Sequence, residues 1–296
     1  MNSYDDLINN APSEGQQQAG YTKEEFAARK KASREAMFAL SDSTALDIAG
    51  DGGKLQKYLD VQSRFDRYSA INSLLILAQK PEAQRLGSYE HWKAQGAFVK
   101  NGEVGISIME PQEYTKEDGS PGVGYNVKKV FDISQVDTRK MKTEPPPPTY
   151  SDRQILAALV SKPPVKITSV DYLGGNLGAV TDPESGEIRV RRGMPFTDIF
   201  RSVAQELAAA QLRDAPGAET DTNFSAYCAA YVLCKKYGVD TKEFDFSNAP
   251  ATLEGMDARE VKAEFSKVHD AVSEITGRII RHLDSVQKAA REQGAR

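Results

Sequence analysis

Four consecutive prolines, Pro145 to Pro148, set the first limit on what this chain can build. Each proline fixes its own φ and lacks an N–H. The run therefore cannot enter a helix interior or a central strand, and it favours an extended, semi-rigid spacer. It falls near the middle of 296 residues, a length that accommodates two domains, each with its own core. The chain is expected to divide into a polar, disordered lead-in over 1–20, a first domain over 21–140, a Pro-rich linker over 141–150 and a second domain over 151–296. A surface loop within one domain is the competing placement for the prolines.

Apolar periodicity fills in the elements. A helix is predicted from Thr22 to about Leu40 and a second from about Lys54 to Gln79, where Tyr58, Val61, Phe65, Tyr68, Ile71 and Leu75 recur at three and four. Short β-type runs come next at 97–100, 105–109 and 125–133, with turns at Gly102, Asp118-Gly119 and Gly122/Gly124. Beyond the prolines come a helix at 152–161, a strand from Val165, a hairpin over 178–192 turning at Asp182–Gly186, and three helices, the last spanning about 257–291. The fold class is α+β: N-terminal helices with a small, mostly antiparallel sheet, then a second α+β unit with a long C-terminal helix. The heptad-like spacing of that last helix fits packing on the second unit, with a dimeric coiled coil as the alternative.

Hydrophobic residues make up 40% and charged residues 27% of the chain, with a net charge of -4. That balance gives no support to bulk nucleic-acid attraction and leaves only a local basic face. The first residues, Met1-Asn-Ser-Tyr-Asp-Asp6, carry no apolar segment of a signal peptide. No stretch reaches the roughly 18 apolar residues of a membrane span. A cytoplasmic protein without membrane partners is expected. Cys228 and Cys234 stand six apart in an apolar helical run and are read as buried thiols rather than a disulfide or metal pair.

The stretch from Arg201 to Gln211 has the form of a zinc-protease helix whose metal ligands are gone. A working helix of that type reads His-Glu-x-x-His: two imidazoles four apart hold Zn²⁺ and the intervening Glu is the general base. Here Gln205 and Ala209 occupy the histidine positions and only Glu206 remains. His91, His269 and His282 lie outside the motif. No catalytic residue, metal or cofactor is assigned, and Glu206 reads as a hydrogen-bonded structural carboxylate. No Gly-x-Ser-x-Gly, P-loop or Gly-x-Gly-x-x-Gly pattern replaces it.

Single strands are held by cations that track phosphates and by rings on which bases stack. The first domain offers Arg64, Arg67, Lys93, Lys100, Lys128 and Lys129 as cations, Tyr68, Trp92, Tyr125 and Phe131 as rings, and Asn72 as a bidentate amide. Several have a second placement. Phe131 alternates with Val127 and Ile133 as a core residue would. Trp92, the sole tryptophan, suits either a core or a stacking role. Asn72, on an apolar stripe one turn from Tyr68, suits a buried strand tie as well as a DNA contact.

Four ordered segments carry a resemblance: Arg64-Phe-Asp-Arg-Tyr-Ser-Ala-Ile-Asn72, Trp92-Lys-Ala-Gln-Gly96, 98–106 and 126–135. Over about 55–245 the chain resembles the ArdC antirestriction proteins, and more closely the LtrC-like proteins of conjugative elements. The resemblance implies a first domain that binds single-stranded DNA through Arg64, Arg67, Tyr68, Asn72, Trp92, Lys93, Lys100, Lys128 and Lys129. Asn101 departs from the family's second basic residue at that turn. The resemblance also implies a zincin-like second domain whose third ligand position, on the next helix, is Tyr227. With Gln205, Ala209 and Tyr227 at the ligand positions, the second domain is expected to be a pseudo-metallopeptidase. The implied role is an accessory protein of a mobile element that protects or escorts transferred DNA, with conjugation or restriction proteins as possible partners. A scaffold of the conjugation machinery without DNA binding and a residual metallopeptidase are the alternatives.

Overall fold

The computed structural model describes residues 22–116, 118–142, 148–214 and 222–294. The expected lead-in and residues 143–147 of the expected linker lie outside them. Helix α1, Lys23–Ala49, starts at a reciprocal cap in which the Thr22 hydroxyl accepts from Glu25 N–H and the Glu25 carboxylate accepts from Thr22 N–H. It does not stop near Leu40. The Ser43 and Thr44 hydroxyls donate back to the Leu40 carbonyl, so polar residues that suggested a break are satisfied inside the helix. Asp51 then caps α2, Gly52–Arg64, by accepting from Gly53 and Lys54 N–H.

The single helix expected over 54–79 is two. After Arg64 the chain turns, Ser69 caps the next helix through Asn72 N–H, and α3 runs Ala70–Gln79. Tyr68 therefore lies in the turn and shares no helix face with Asn72. Strand β1 (Leu86–Gly87), α4 (Tyr89–Ala94) and β2 (Phe98–Val99) lead to the long hairpin of β3 (Ile106–Thr115) and β4 (Pro121–Asp132), paired from Ile106↔Val130 to Thr115↔Pro121. The order is β1-β4-β3, so β3 is an edge, and β2 pairs separately with β5 (Val136–Asp137).

Beyond the prolines, α5 (Asp152–Leu159) precedes a mixed sheet, β6 (Ile167–Val170), β7 (Ala179–Thr181) and β8 (Ile188–Arg191), in order β6-β8-β7. β7 and β8 form the expected hairpin, its turn fixed by the Asp182 carboxylate on Glu184 and Ser185 N–H. Among the described residues four helices complete the chain: α6 (Phe196–Arg213), α7 (Asn223–Lys236), α8 (Ala249–Leu253) and α9 (Ala258–Gly294). The molecule is α+β with small sheets and a long C-terminal helix. Val261, Phe265, Val268, Val272, Ile275 and Ile279 of α9 are buried in the main core, so that apolar stripe is used within the chain rather than as a coiled-coil seam.

Separate cores are not what the described residues form. The largest core joins Ile48, Leu55, Tyr58 and Leu74 to Phe200, Leu207, Tyr231 and Phe265, across the proline run. Tyr58 stacks on Phe265 with centroids 4.5 Å apart. The Asp60 carboxylate accepts from the Tyr231 hydroxyl at 2.7 Å and pairs with Lys235 at 3.0 Å, while Asp66 pairs with Lys236 and Asp42 with Lys262. The helices of the first part are built into the second. Smaller clusters around Phe65, Met37 and Trp92 belong to the first part alone. Cys228 and Cys234 are buried free thiols in the joint core, and burial pushes the Cys234 thiol up to about 12.

Candidate nucleic-acid interface and the helix of Glu206

An edge strand presents backbone groups that need partners. Along β3 they are met by amides of α3. The Asn72 side chain accepts from Met109 N–H at 2.7 Å and donates to the Met109 carbonyl at 2.8 Å. Two turns on, Gln79 accepts from Ser107 N–H at 2.8 Å and donates to the Ser107 carbonyl at 2.9 Å. Each amide imitates a paired strand residue. Asn72 is thus buried with both ends of its amide engaged, and its expected DNA contact is corrected to a strand tie.

Trp92 is corrected in the same way. It is 0% exposed, and its indole N–H donates to the Phe131 carbonyl at 2.9 Å. The ring sits over Gly87, where an added Cβ would stand 3.0 Å from it. Phe131 packs in the same cluster, as its alternation predicted. Lys129 is half-buried and donates to the Gly105 carbonyl at 3.1 Å, and burial brings its ammonium down to about 8. That bond ties the lysine to the turn before β3. Lys100 is exposed but donates to the Ser134 carbonyl, which ties its own turn to the chain after β4.

Four cations remain, Arg64, Arg67, Lys93 and Lys128. Arg64 ends α2, exposed, with its guanidinium on the Pro81 carbonyl, and Arg67 is exposed in the turn. Between them and α3, Tyr68 is half-buried. Burial raises its hydroxyl, and Lys128 lies near enough to oppose that shift. Lys128 pairs with Glu110 at 3.0 Å. Exposed Lys93, on α4, completes the set, with Glu90 between it and Lys128; the Glu90 carboxyl is held low first by its own backbone N–H and the Ser88 hydroxyl, then by these two lysines. Tyr125, 38% exposed, meets Phe38 of α1 edge to face at 6.0 Å.

One ring escaped the sequence argument. Tyr114 is 51% exposed and lies over Gly122 and Gly124 of the facing strand. The signal was present: two glycines two apart on one strand leave a bed for a ring opposite.

In the second part, Glu206 belongs to an edge as well. Its carboxylate accepts from Thr181 N–H at 2.9 Å and from the Thr181 hydroxyl at 2.6 Å, and Arg213 donates to the same hydroxyl at 3.3 Å. β7 is the edge of its sheet, and the Gly178 carbonyl and Asp182 N–H face β8, so Thr181 N–H faces outward. Gln205 is half-buried one residue away, and Ala209 is buried in the joint core. The Tyr227 hydroxyl accepts from Asp245 N–H at 2.8 Å, and its ring contacts Phe244 and Phe246. Among the described residues no three His, Cys, Asp or Glu side chains gather as a metal site. Glu206→Ala leaves an outward N–H with no partner. It is expected to cost about 1–3 kcal/mol, read as a lower urea midpoint; an unchanged midpoint would remove the strand-tie role.

Residues 44–144 match the family model for the N-terminal domain of anti-restriction factor ArdC. A curated protein of Bacillus anthracis, named only as uncharacterized, is 24% identical over 329 aligned positions, covering 90% of this chain and 55% of its own length. The chain thus spans about half the length of that relative. Two solved structures of antirestriction ArdC from the R388 plasmid, one metal-free and one Mn(II)-bound, are similar at 15% identity and TM-score 0.48. They cover 72% of this chain, and 85% and 84% of their own. Among the described residues no helix is long and apolar enough to cross a membrane.

Proposed function

We propose, from the premise that residues 44–144 form an ArdC-type N-terminal domain, that this protein binds single-stranded DNA as an antirestriction-like accessory of a mobile element. It would protect or escort transferred strands in the cytoplasm. The observation that carries the proposal is Lys128 lying near half-buried Tyr68 on that domain, with exposed Arg67 the preceding residue and exposed Arg64 at the end of α2. Cations spaced about one partly sheltered ring suit a flexible phosphate chain with bases free to stack, and they do so locally despite a net charge of -4.

The second part supports this role without hydrolysis. By the resemblance, Gln205, Ala209 and Tyr227 fall at the positions where a zincin would hold its metal, and Glu206 is occupied by Thr181. Its packing against α2 and α3 makes it the scaffold on which the binding turn is held.

The experiment is fluorescence anisotropy of a labelled single strand of about 30 nucleotides, at about 50 and about 200 mM salt, with duplex of the same sequence as competitor. Tight, salt-sensitive binding that duplex does not displace is expected. Replacing Arg64 and Arg67 together by Gln is expected to reduce the slope of log K against log salt by about 1.4, two phosphates at about 0.7 each. Absence of binding at low salt and micromolar protein overturns the proposal and favours a scaffold for other proteins of the element.

A further inference from the structure

The outer half of the β3–β4 hairpin projects as a two-stranded ribbon, with 110–115 exposed along their whole length. The register assigns its faces. Residues opposite one another share a face, and alternate residues fall on the same side. Tyr114, Gln112 and Glu110 therefore line one face with Gly122, Gly124, Asn126 and Lys128. The observed contacts agree: Gln112 accepts from the Asn126 amide at 2.6 Å, and Lys128 pairs with Glu110. At the outer end the Tyr114 ring rests on the two glycines, where a Cβ at Gly122 would stand 2.7 Å from its Cζ and one at Gly124 3.5 Å from its ring edge. The glycines support the ring from below and its 51% exposure is left to solvent.

This face continues into the cationic turn. Lys128 acts on Tyr68, and Arg67 is the adjacent residue. From Tyr114 to the level of Lys128 is three strand-pair steps, roughly 20 Å at about 3.4 Å per residue. Along it lie a solvent-facing ring, an amide pair with hydrogen-bonding capacity, and a lysine that lies near Tyr68. That order suits an extended single strand: a base on each ring, base edges at the amides, phosphates at the cations.

We infer that this ribbon face is the track for single-stranded DNA, with Tyr114 as its outer stacking platform. The inference rests on the DNA-binding function proposed above and assigns it a path. Glu110 occupies Lys128 when no strand is bound, and a phosphate takes its place on binding, so Glu110 restrains affinity.

Three variants test the path by anisotropy with the same labelled oligonucleotide. Tyr114→Ala is expected to weaken binding by about 5- to 150-fold, the value of one base stack, without changing the salt slope. Tyr114→Phe is expected to bind as the wild type does. Glu110→Gln is expected to tighten binding, because it removes a competing carboxylate. Photocrosslinking with an oligonucleotide carrying 5-iodouracil at single positions supplies a readout independent of affinity, and adducts at Tyr114 are expected. If the wild type binds but Tyr114→Ala and Glu110→Gln match it and no adduct forms at Tyr114, the track is overturned while the DNA function stands. If the wild type does not bind, the function fails and the track with it.

Discussion

Gly52→Ala is expected to destabilise the whole molecule by about 3 kcal/mol or more, because the added methyl meets backbone rather than a movable side chain. Gly52 opens α2 directly beneath the chain at Phe246 and Ser247. A Cβ there would overlap the Phe246 carbonyl oxygen, and its next neighbours are the Phe246 carbonyl carbon at 2.6 Å and Ser247 N at 3.3 Å. Relief requires α2 to move away from the 244–249 segment. That movement would strain the Asp60–Tyr231 bond and the Tyr58–Phe265 stack at once. Because the core is shared, the damage is expected to spread to both sides of the proline run. A urea titration followed by Trp92 fluorescence for the first part and by Cys234 labelling for the second should show both transitions moving together. Loss confined to one probe would contradict a joint core.

Trp92→Ala is the second large effect, about 3–5 kcal/mol, the range for deleting a buried large aromatic. The indole fills the space between Gly87, Ala97 and Val136 and satisfies the Phe131 carbonyl. Its removal opens a cavity and takes the indole donor from that carbonyl. Trp92→Phe is milder, since it keeps much of the volume and loses only the bond. The pair separates a core residue from a stacking one. Thermal melts should report large and moderate losses respectively, while single-strand affinity of the folded Phe variant should equal that of the wild type. A Phe variant that melts normally but binds poorly would return Trp92 to the DNA surface.

The elements with a clean apolar period were legible in the sequence. α7 and α9 come from their apolar spacing, and the β7–β8 hairpin from the turn at Asp182–Gly186. The break between α2 and α3 was not, because Phe65, Tyr68 and Ile71 keep a three-residue rhythm straight through the turn. Only Ser69, a capping residue in mid-pattern, marked it. The shared core was not legible either: a proline run constrains the local path of the chain, not the distance between the segments on either side of it. Among the site residues, the cations Arg64, Arg67 and Lys93 are exposed, as their type suggested. Asn72 and Trp92 were not separable from surface residues by type, since their burial depends on β3 and Gly87 arriving from elsewhere in the chain.

Asn72, Gln79 and Glu206 each occupy outward backbone groups of an edge strand. Bare sheet margins on crowded copies of a protein would zip into fibres. Three polar side chains at these margins keep crowded neighbours from recruiting one another at those positions.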